Sequence, residues 1–135
     1  MASYAALTPQ TLAAGDAVVW QTTIVPGCCN IQHRNGTATI SLCGSGCCCR
    51  PNVYRVCAHV VVTAADTDPI QMQLALDGVA VPGSLIALPP VAAGTILSGD
   101  VCLDIPVDCG CSRLSLIAVT AVPLTTAYIS VDKEG

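Results

Sequence analysis

Apolar and polar residues alternate between Pro69 and Ser84 in the pattern of a β-hairpin. Apolar side chains stand at every second position from Ile70 to Leu76. A period of two places one face of a strand in a core and the other toward solvent. Asp77-Gly78 then supplies the positive-φ dipeptide that a two-residue turn requires, and Val79 to Val81 begin the return strand.

Similar strand and turn signals continue along the chain, and no segment shows a sustained 3.6-residue period. Asn35-Gly36 marks a second tight turn, and Asp66 to Pro69 forms a further turn. About nine strands at a spacing of roughly 8–12 residues predict an all-β, antiparallel jelly-roll β-sandwich. Besides the hairpin, the predicted strands are Asp16 to Ile24, Ile31 to Arg34, Thr37 to Cys43, Val53 to Ala65, Gly94 to Ile105, Ser112 to Val119 and Thr125 to Asp132.

Residues 1–15 are interpreted as an N-terminal arm, which leaves residues 16–135 as the jelly-roll domain. The segment is small, uncharged and proline-containing, and it lacks the residues for a core of its own. We expect the arm to tether each chain to its support. The candidate attachment residues are Ala2, Ser3, Tyr4, Leu7, Pro9 and Leu12.

The composition favours an obligate oligomer. Only 10% of the 135 residues are charged, against about 25% in ordinary soluble domains, and 53% are hydrophobic. Mean hydropathy is +0.65. No apolar run reaches the roughly 18 residues of a membrane span, so we expect none. Burial against copies of itself is the remaining way to hide the excess apolar surface, and a sparingly soluble monomer is the alternative.

The charged and reactive residues indicate neither nucleic-acid binding nor catalysis. Net charge is −4, with four arginines and one lysine, Lys133, so the clustered basic residues that nucleic acid requires are missing. His33 lies beside a turn and His59 lies within a strand, and neither belongs to a recognised catalytic motif. A metal-dependent jelly-roll enzyme would need a histidine-rich motif. We expect no catalytic residue and no cofactor. The first ten residues carry no secretion-signal pattern.

Ten cysteines, an even number, indicate disulfide cross-links. Cys57 and Cys102 lie in predicted strands and are interpreted as small buried hydrophobes. The other eight are cross-link candidates: Cys28, Cys29, Cys43, Cys47, Cys48, Cys49, Cys109 and Cys111. A zinc site is the alternative for Cys43, Cys47, Cys109 and Cys111, although adjacent cysteines are awkward tetrahedral ligands.

Three short segments resemble those of a known family. Asn52 to Val60 reads N-V-Y-R-V-C-A-H-V and is similar to a family strand G-x-Y-x-V-x-x-x-V. Leu74 to Ser84 resembles the next family hairpin, and Ala127 to Val131 resembles its closing strand. The family is the trimeric jelly-roll superfamily of tumour necrosis factor and the complement globular heads, especially its bacterial and phage branch. The likeness spans about residues 16 to 132. The chain departs from it at Asn52, where the family has glycine, and in having no phenylalanine.

The resemblance implies a homotrimeric structural protein on the surface of a larger particle. Val25 to Gly36 also resembles small proteins of gut-phage particles, so the expected particle is a phage virion, with this chain as head decoration or fibre. A spore or cell surface, with an exosporium-like role, is the alternative. A receptor- or glycan-binding head is a further hypothesis, although few aromatic residues are present to stack on sugars: Trp20, Tyr4, Tyr54 and Tyr128. Expected partners are copies of the chain and the phage capsid or spore coat.

Overall fold

Two antiparallel β-sheets pack against each other in the computed structural model, which describes residues 2–27, 30–44, 52–89, 91–107 and 110–134. No helix within these ranges is long and apolar enough to cross a membrane. The strands are β1 (Ala2–Ala6), β2 (Gln10–Leu12), β3 (Thr22–Val25), β4 (Ile31–His33), β5 (Ile40–Cys43), β6 (Asn52–Thr63), β7 (Ile70–Leu76), β8 (Val79–Ala80), β9 (Ile86–Leu88), β10 (Ile96–Val107), β11 (Cys111–Ala118) and β12 (Val122–Glu134).

Sheet I contains the two longest strand pairings. Its strand order is β10-β6-β12-β1-β3, and β2 pairs with one end of β12. β6 is paired along its whole length with β10, from Asn52 opposite Val107 to Thr63 opposite Ile96. Sheet II has the order β4-β5-β11-β7-β8, with β9 also paired to β7. Every strand pair is antiparallel, as the sequence predicted.

The predicted hairpin is confirmed. β7 pairs with β8 across Asp77-Gly78, and both turn residues have positive φ, 53° and 81°. Ile70, Met72 and Leu74 are buried, as the alternation requires. A non-glycine residue with positive φ is uncommon, and aspartate is among the types that tolerate it. The local turn chemistry and the hydrophobic pattern therefore specify the same register.

The second predicted turn is present, but it does not close a tight two-residue hairpin. Gly36 has a φ of 87°, and the Thr37 N–H donates to the Arg34 carbonyl at 3.1 Å. Residues 34–39 nevertheless separate β4 from β5. The reason is that Gly36 and Thr37 pair with Trp20, on a different segment, through backbone hydrogen bonds of 2.9 and 3.0 Å.

The alternation on four of the predicted strands indicates a core of nine residues, and most of them are fully buried between the sheets. Val101, Leu103 and Leu76 are only partly buried and pack against that core. Val101 and Leu103 stand on β10, an edge strand of sheet I, so one flank of their face remains open. The buried members of the predicted set are Val56, Ala58, Val60, Val62, Leu74 and Leu116.

Trp20 is a core residue that the sequence pattern did not identify. Its side chain has 0% exposure, and Val18 beside it is equally buried. The predicted strand over Asp16 to Ile24 is wrong for most of its length. Ala17 forms a bridge to Ile117 of sheet II, whereas Thr22 already belongs to sheet I. This segment crosses from one sheet to the other, and the crossing places Trp20 between them.

The prediction of a free N-terminal arm is wrong for residues 2–6. Ala2–Ala6 forms β1, which lies inside sheet I between β12 and β3. All five of its residues are buried, with Tyr4 at 1% exposure, and Leu12 is buried on β2. Small uncharged residues suggested a free segment, but in a strand they allow close packing between neighbours. Of the proposed attachment residues, Ala2, Ser3, Tyr4 and Leu12 are therefore integral to the fold, while Leu7 and Pro9 are exposed.

Candidate functional site

The outer face of sheet I presents registered rows of side chains. One row crosses four strands through residues that stand opposite one another: Ala5 on β1, Tyr128 on β12, His59 on β6 and Asp100 on β10. Tyr128 is 38% exposed, although it is a large aromatic side chain. Ile96, near the edge of the same sheet, is 70% exposed. The face therefore offers apolar surface at its centre and at its edge.

The neighbouring row carries a disulfide between Cys57 and Cys102. These residues are directly opposite on β6 and β10, with their Cα atoms 4.1 Å apart. The expectation that both are buried hydrophobes is wrong, because Cys57 is half-buried and Cys102 is exposed. A signal was present in the sequence. The same alternation that turns Val56 and Ala58 into the core turns Cys57 to the opposite face.

A second disulfide lies on the outer face of sheet II. Cys43 on β5 stands opposite Cys111 on β11, with a Cα separation of 4.0 Å. Both were cross-link candidates. In this pairing neither sulfur is available as a thiolate, so Cys43 and Cys111 do not serve as ligands of the alternative zinc site. Within the described ranges no three His, Cys, Asp or Glu residues are grouped to hold a metal.

The remaining cross-link candidates lie outside the described residues. They are Cys28, Cys29, Cys47, Cys48, Cys49 and Cys109. The two described pairs share one geometry: each joins facing positions of adjacent antiparallel strands, on the surface turned away from the core. Each pair fixes the register of two strands that are far apart in sequence, by 45 residues in sheet I and 68 in sheet II.

The two histidines occupy different environments. His59 is exposed on the outer face of sheet I, between Tyr128 and Asp100 in the register. His33 is partly buried at the end of β4, where its two ring nitrogens approach backbone carbonyls of Thr39 and Trp20. No nucleophile is hydrogen-bonded to His33 in these contacts.

Comparison with known proteins supports the fold independently. No protein-family model matches the sequence, and no curated protein matches it. Among solved structures, the globular domain of zebrafish complement 1qA protein has a TM-score of 0.71 at 10% identity, over 97% of this chain and 94% of that one. Eiger TNF from S. frugiperda has a TM-score of 0.64 at 11% identity, over 99% of this chain and 91% of that one.

A vertex protein has a similar fold. The PRD1 vertex protein P5 has a TM-score of 0.57 at 14% identity, over 99% of this chain and 96% of that one. The predicted all-β, antiparallel jelly-roll sandwich is confirmed by these similarities and by the sheet topology. At such low identity they establish the shared fold alone.

Proposed function

We propose that this protein is a non-catalytic structural head, displayed as a homotrimer on the surface of a phage virion. The observation that carries the proposal is the exposure of large apolar side chains on sheet I. Eight large hydrophobic side chains are exposed among the described residues, and half of them belong to this sheet: Ile24, Val25, Ile96 and Tyr128. Scattered apolar residues are normal on a surface, but a shared sheet face fits a protein partner.

The chemistry of this face favours a second copy of the chain as the partner. Ser130, the next residue on the same face of β12, is small, so another protein surface can approach Tyr128 closely. The face also carries four charged side chains, Arg55, Asp100, Asp104 and Asp132, but none stands directly opposite Tyr128 in the register. Arg55 and Asp104 form an exposed ion pair at 3.8 Å. Interface centres are typically depleted in charge and enriched in aromatic residues. A closed ring of three copies also buries strand faces without leaving an open edge that would recruit further chains.

Two further observations support a role on a particle. The cross-strand disulfides reinforce both sheets from outside the core, as suits a protein exposed to harsh surroundings. The fold also resembles the PRD1 vertex protein P5, whose name places it at a vertex. We propose the virion surface for this reason. The spore or cell surface is the alternative location.

Replacing Tyr128 with lysine is expected to dissociate the trimer. An unpaired charge in place of the Tyr128 ring, at the centre of the proposed contact, weakens each subunit contact by about 30-fold or more in Kd. Sedimentation equilibrium at micromolar concentration checks this: the natural chain should have three times the 13.7 kDa mass of one chain, and Tyr128→Lys should have the monomer mass.

Val79→Lys is the matched control. Val79 is 70% exposed on β8 of sheet II, so this variant adds the same charge on the other face and should remain trimeric. A natural chain that sediments as a monomer contradicts the proposed trimer. Equal dissociation of both variants contradicts the assignment of the interface to sheet I.

A further inference from the structure

A cavity on the outer face of sheet II is lined entirely by polar residues, and the structural role proposed above does not use it. Its volume is about 400 Å³, and it lies where β4, β5 and their connecting loop meet β11. Cross-strand register explains its formation. Gln32 stands opposite Ser41, and Ser41 stands opposite Arg113, so the three strands turn these residues to one face.

Positive charge is concentrated at this cavity. The chain has only five lysine and arginine residues and a net charge of −4, yet Arg34 and Arg113 both line the cavity. No aspartate or glutamate lines it. The carboxylate of Asp77 accepts the backbone N–H of Arg113 at 2.9 Å. Within the described part of the chain, neither guanidinium forms an ion pair. Both side chains are exposed, and two guanidinium groups on one face of an acidic protein with no carboxylate in the lining suit an anionic ligand.

The imidazole of His33 also lines this cavity, and contacts with the backbone fix its orientation. Its Nδ1 lies 2.9 Å from the Thr39 carbonyl oxygen, and its Nε2 lies 3.0 Å from the Trp20 carbonyl oxygen. The Tyr4 ring, with its centroid 4.6 Å from that of His33, also holds the imidazole in place.

We propose that this cavity binds the carboxylate or sulfate group of an acidic saccharide. The planar guanidinium groups donate paired hydrogen bonds to such an oxyanion. The rest of the lining consists of hydroxyl and amide groups, from Thr37, Thr39, Ser41 and Gln32, which match the hydroxyls of a sugar. No apolar side chain lines the cavity to hold the side chains of a peptide.

An adjoining cavity extends the site beyond the anion. It has a volume of about 230 Å³ and shares Gln32 and His33 with the first cavity. Thr23 and Pro26 contribute to its lining. A neutral sugar ring joined to the acidic one can therefore occupy it, which favours an oligosaccharide over a single free anion. The inference does not depend on the proposed trimer, because neither cavity includes a residue of the outer face of sheet I assigned to that contact.

Titration of the full chain with 3′-sialyllactose, followed by isothermal calorimetry and by backbone NMR shifts, tests the proposal. Lactose, inorganic sulfate and a tetraglutamate peptide serve as comparison ligands. We expect sialyllactose or 6-sulfo-N-acetyllactosamine to bind at least tenfold more tightly than any of these, with shifts centred on Gln32, Ser41 and Arg113. Loss of one charged hydrogen-bond donor should weaken binding by about tenfold or more. Arg34→Ala and Arg113→Ala should each show that loss.

Arg55→Ala is the matched control, because Arg55 is an exposed arginine on the other sheet. It should bind like the natural chain, and all three variants should keep the natural circular-dichroism spectrum and unfolding midpoint. Three results overturn the proposal: no binding of either acidic saccharide, binding as tight for lactose, sulfate or the acidic peptide, or equal weakening by Arg55→Ala. Arg113→Lys keeps the charge but not the planar donor pair. We expect it to recover only part of the affinity.

Discussion

Deletion of residues 2–6 is expected to abolish folding. The deletion removes β1 from the interior of sheet I and separates β12 from β3. It also removes the buried Tyr4 ring, whose loss alone costs about 3–5 kcal/mol by analogy with other large aromatic residues. Backbone pairing to two neighbouring strands is lost as well. A natural domain has only about 5–15 kcal/mol of stability in total. Far-UV circular dichroism and urea unfolding measure the outcome.

Exchange of residues 7–9 for Ser-Gly-Ser is the control for that deletion. These three residues follow β1 and are exposed. Their exchange should therefore lower the free energy of unfolding by less than about 1 kcal/mol. A chain without residues 2–6 that unfolds cooperatively near the natural midpoint would contradict the placement of β1 inside the sheet. It would also restore the interpretation of this segment as a free arm.

Removal of both cross-strand disulfides is expected to destabilise the protein by an amount close to its whole stability. The bonds close segments of 45 and 68 residues. On the chain-entropy account each contributes about 4 kcal/mol through the unfolded state. Cys57→Ala with Cys102→Ala removes one bond, and Cys43→Ala with Cys111→Ala removes the other. Each pair should lower the free energy of unfolding by about 2–5 kcal/mol in urea titrations.

The two double-alanine variants separate the contribution of the covalent bonds to stability from that of core packing. These four cysteines lie on the outer faces of the sheets, so alanine at these positions opens no cavity in the core. Non-reducing peptide mapping of the natural chain should recover the Cys43–Cys111 and Cys57–Cys102 peptides. If the free energy of unfolding of both paired variants stays within about 0.5 kcal/mol of the natural value, the disulfides do not stabilise the fold as proposed.

The β-sheet architecture followed from local sequence patterns, but the disulfide partners did not. Alternation on β6 and β7 and the Asp77-Gly78 turn identified strands, faces and register, because each signal lies within a few residues. Each of the two disulfides, in contrast, joins residues that are 45 or more positions apart in this chain. Its partner depends on which strands become neighbours, and that is a property of the whole fold. The outward orientation of Cys57 was nevertheless predictable from its neighbours.

The segments with the largest errors are those whose role depends on distant partners. Small uncharged residues at Ala2–Ala6 predict no core, yet β1 is buried because β12 and β3 flank it. Trp20 is buried because its segment crosses between the sheets. The cavity containing Arg34 and Arg113 was missed for the same reason. These residues are 79 positions apart, and only the β4-β5-β11 pairing brings them to one face.

Quantitative mass spectrometry of virions purified from the native source tests the central claim most directly. The proposed account predicts that the chain is retained on washed particles, in a copy number per particle that is a multiple of three. Treatment with a protein cross-linker should yield chain trimers from the same particles. Absence of the chain from purified virions, or its recovery only as uncross-linked monomers, would contradict the account. Recovery from washed spores instead would move the protein to the alternative surface.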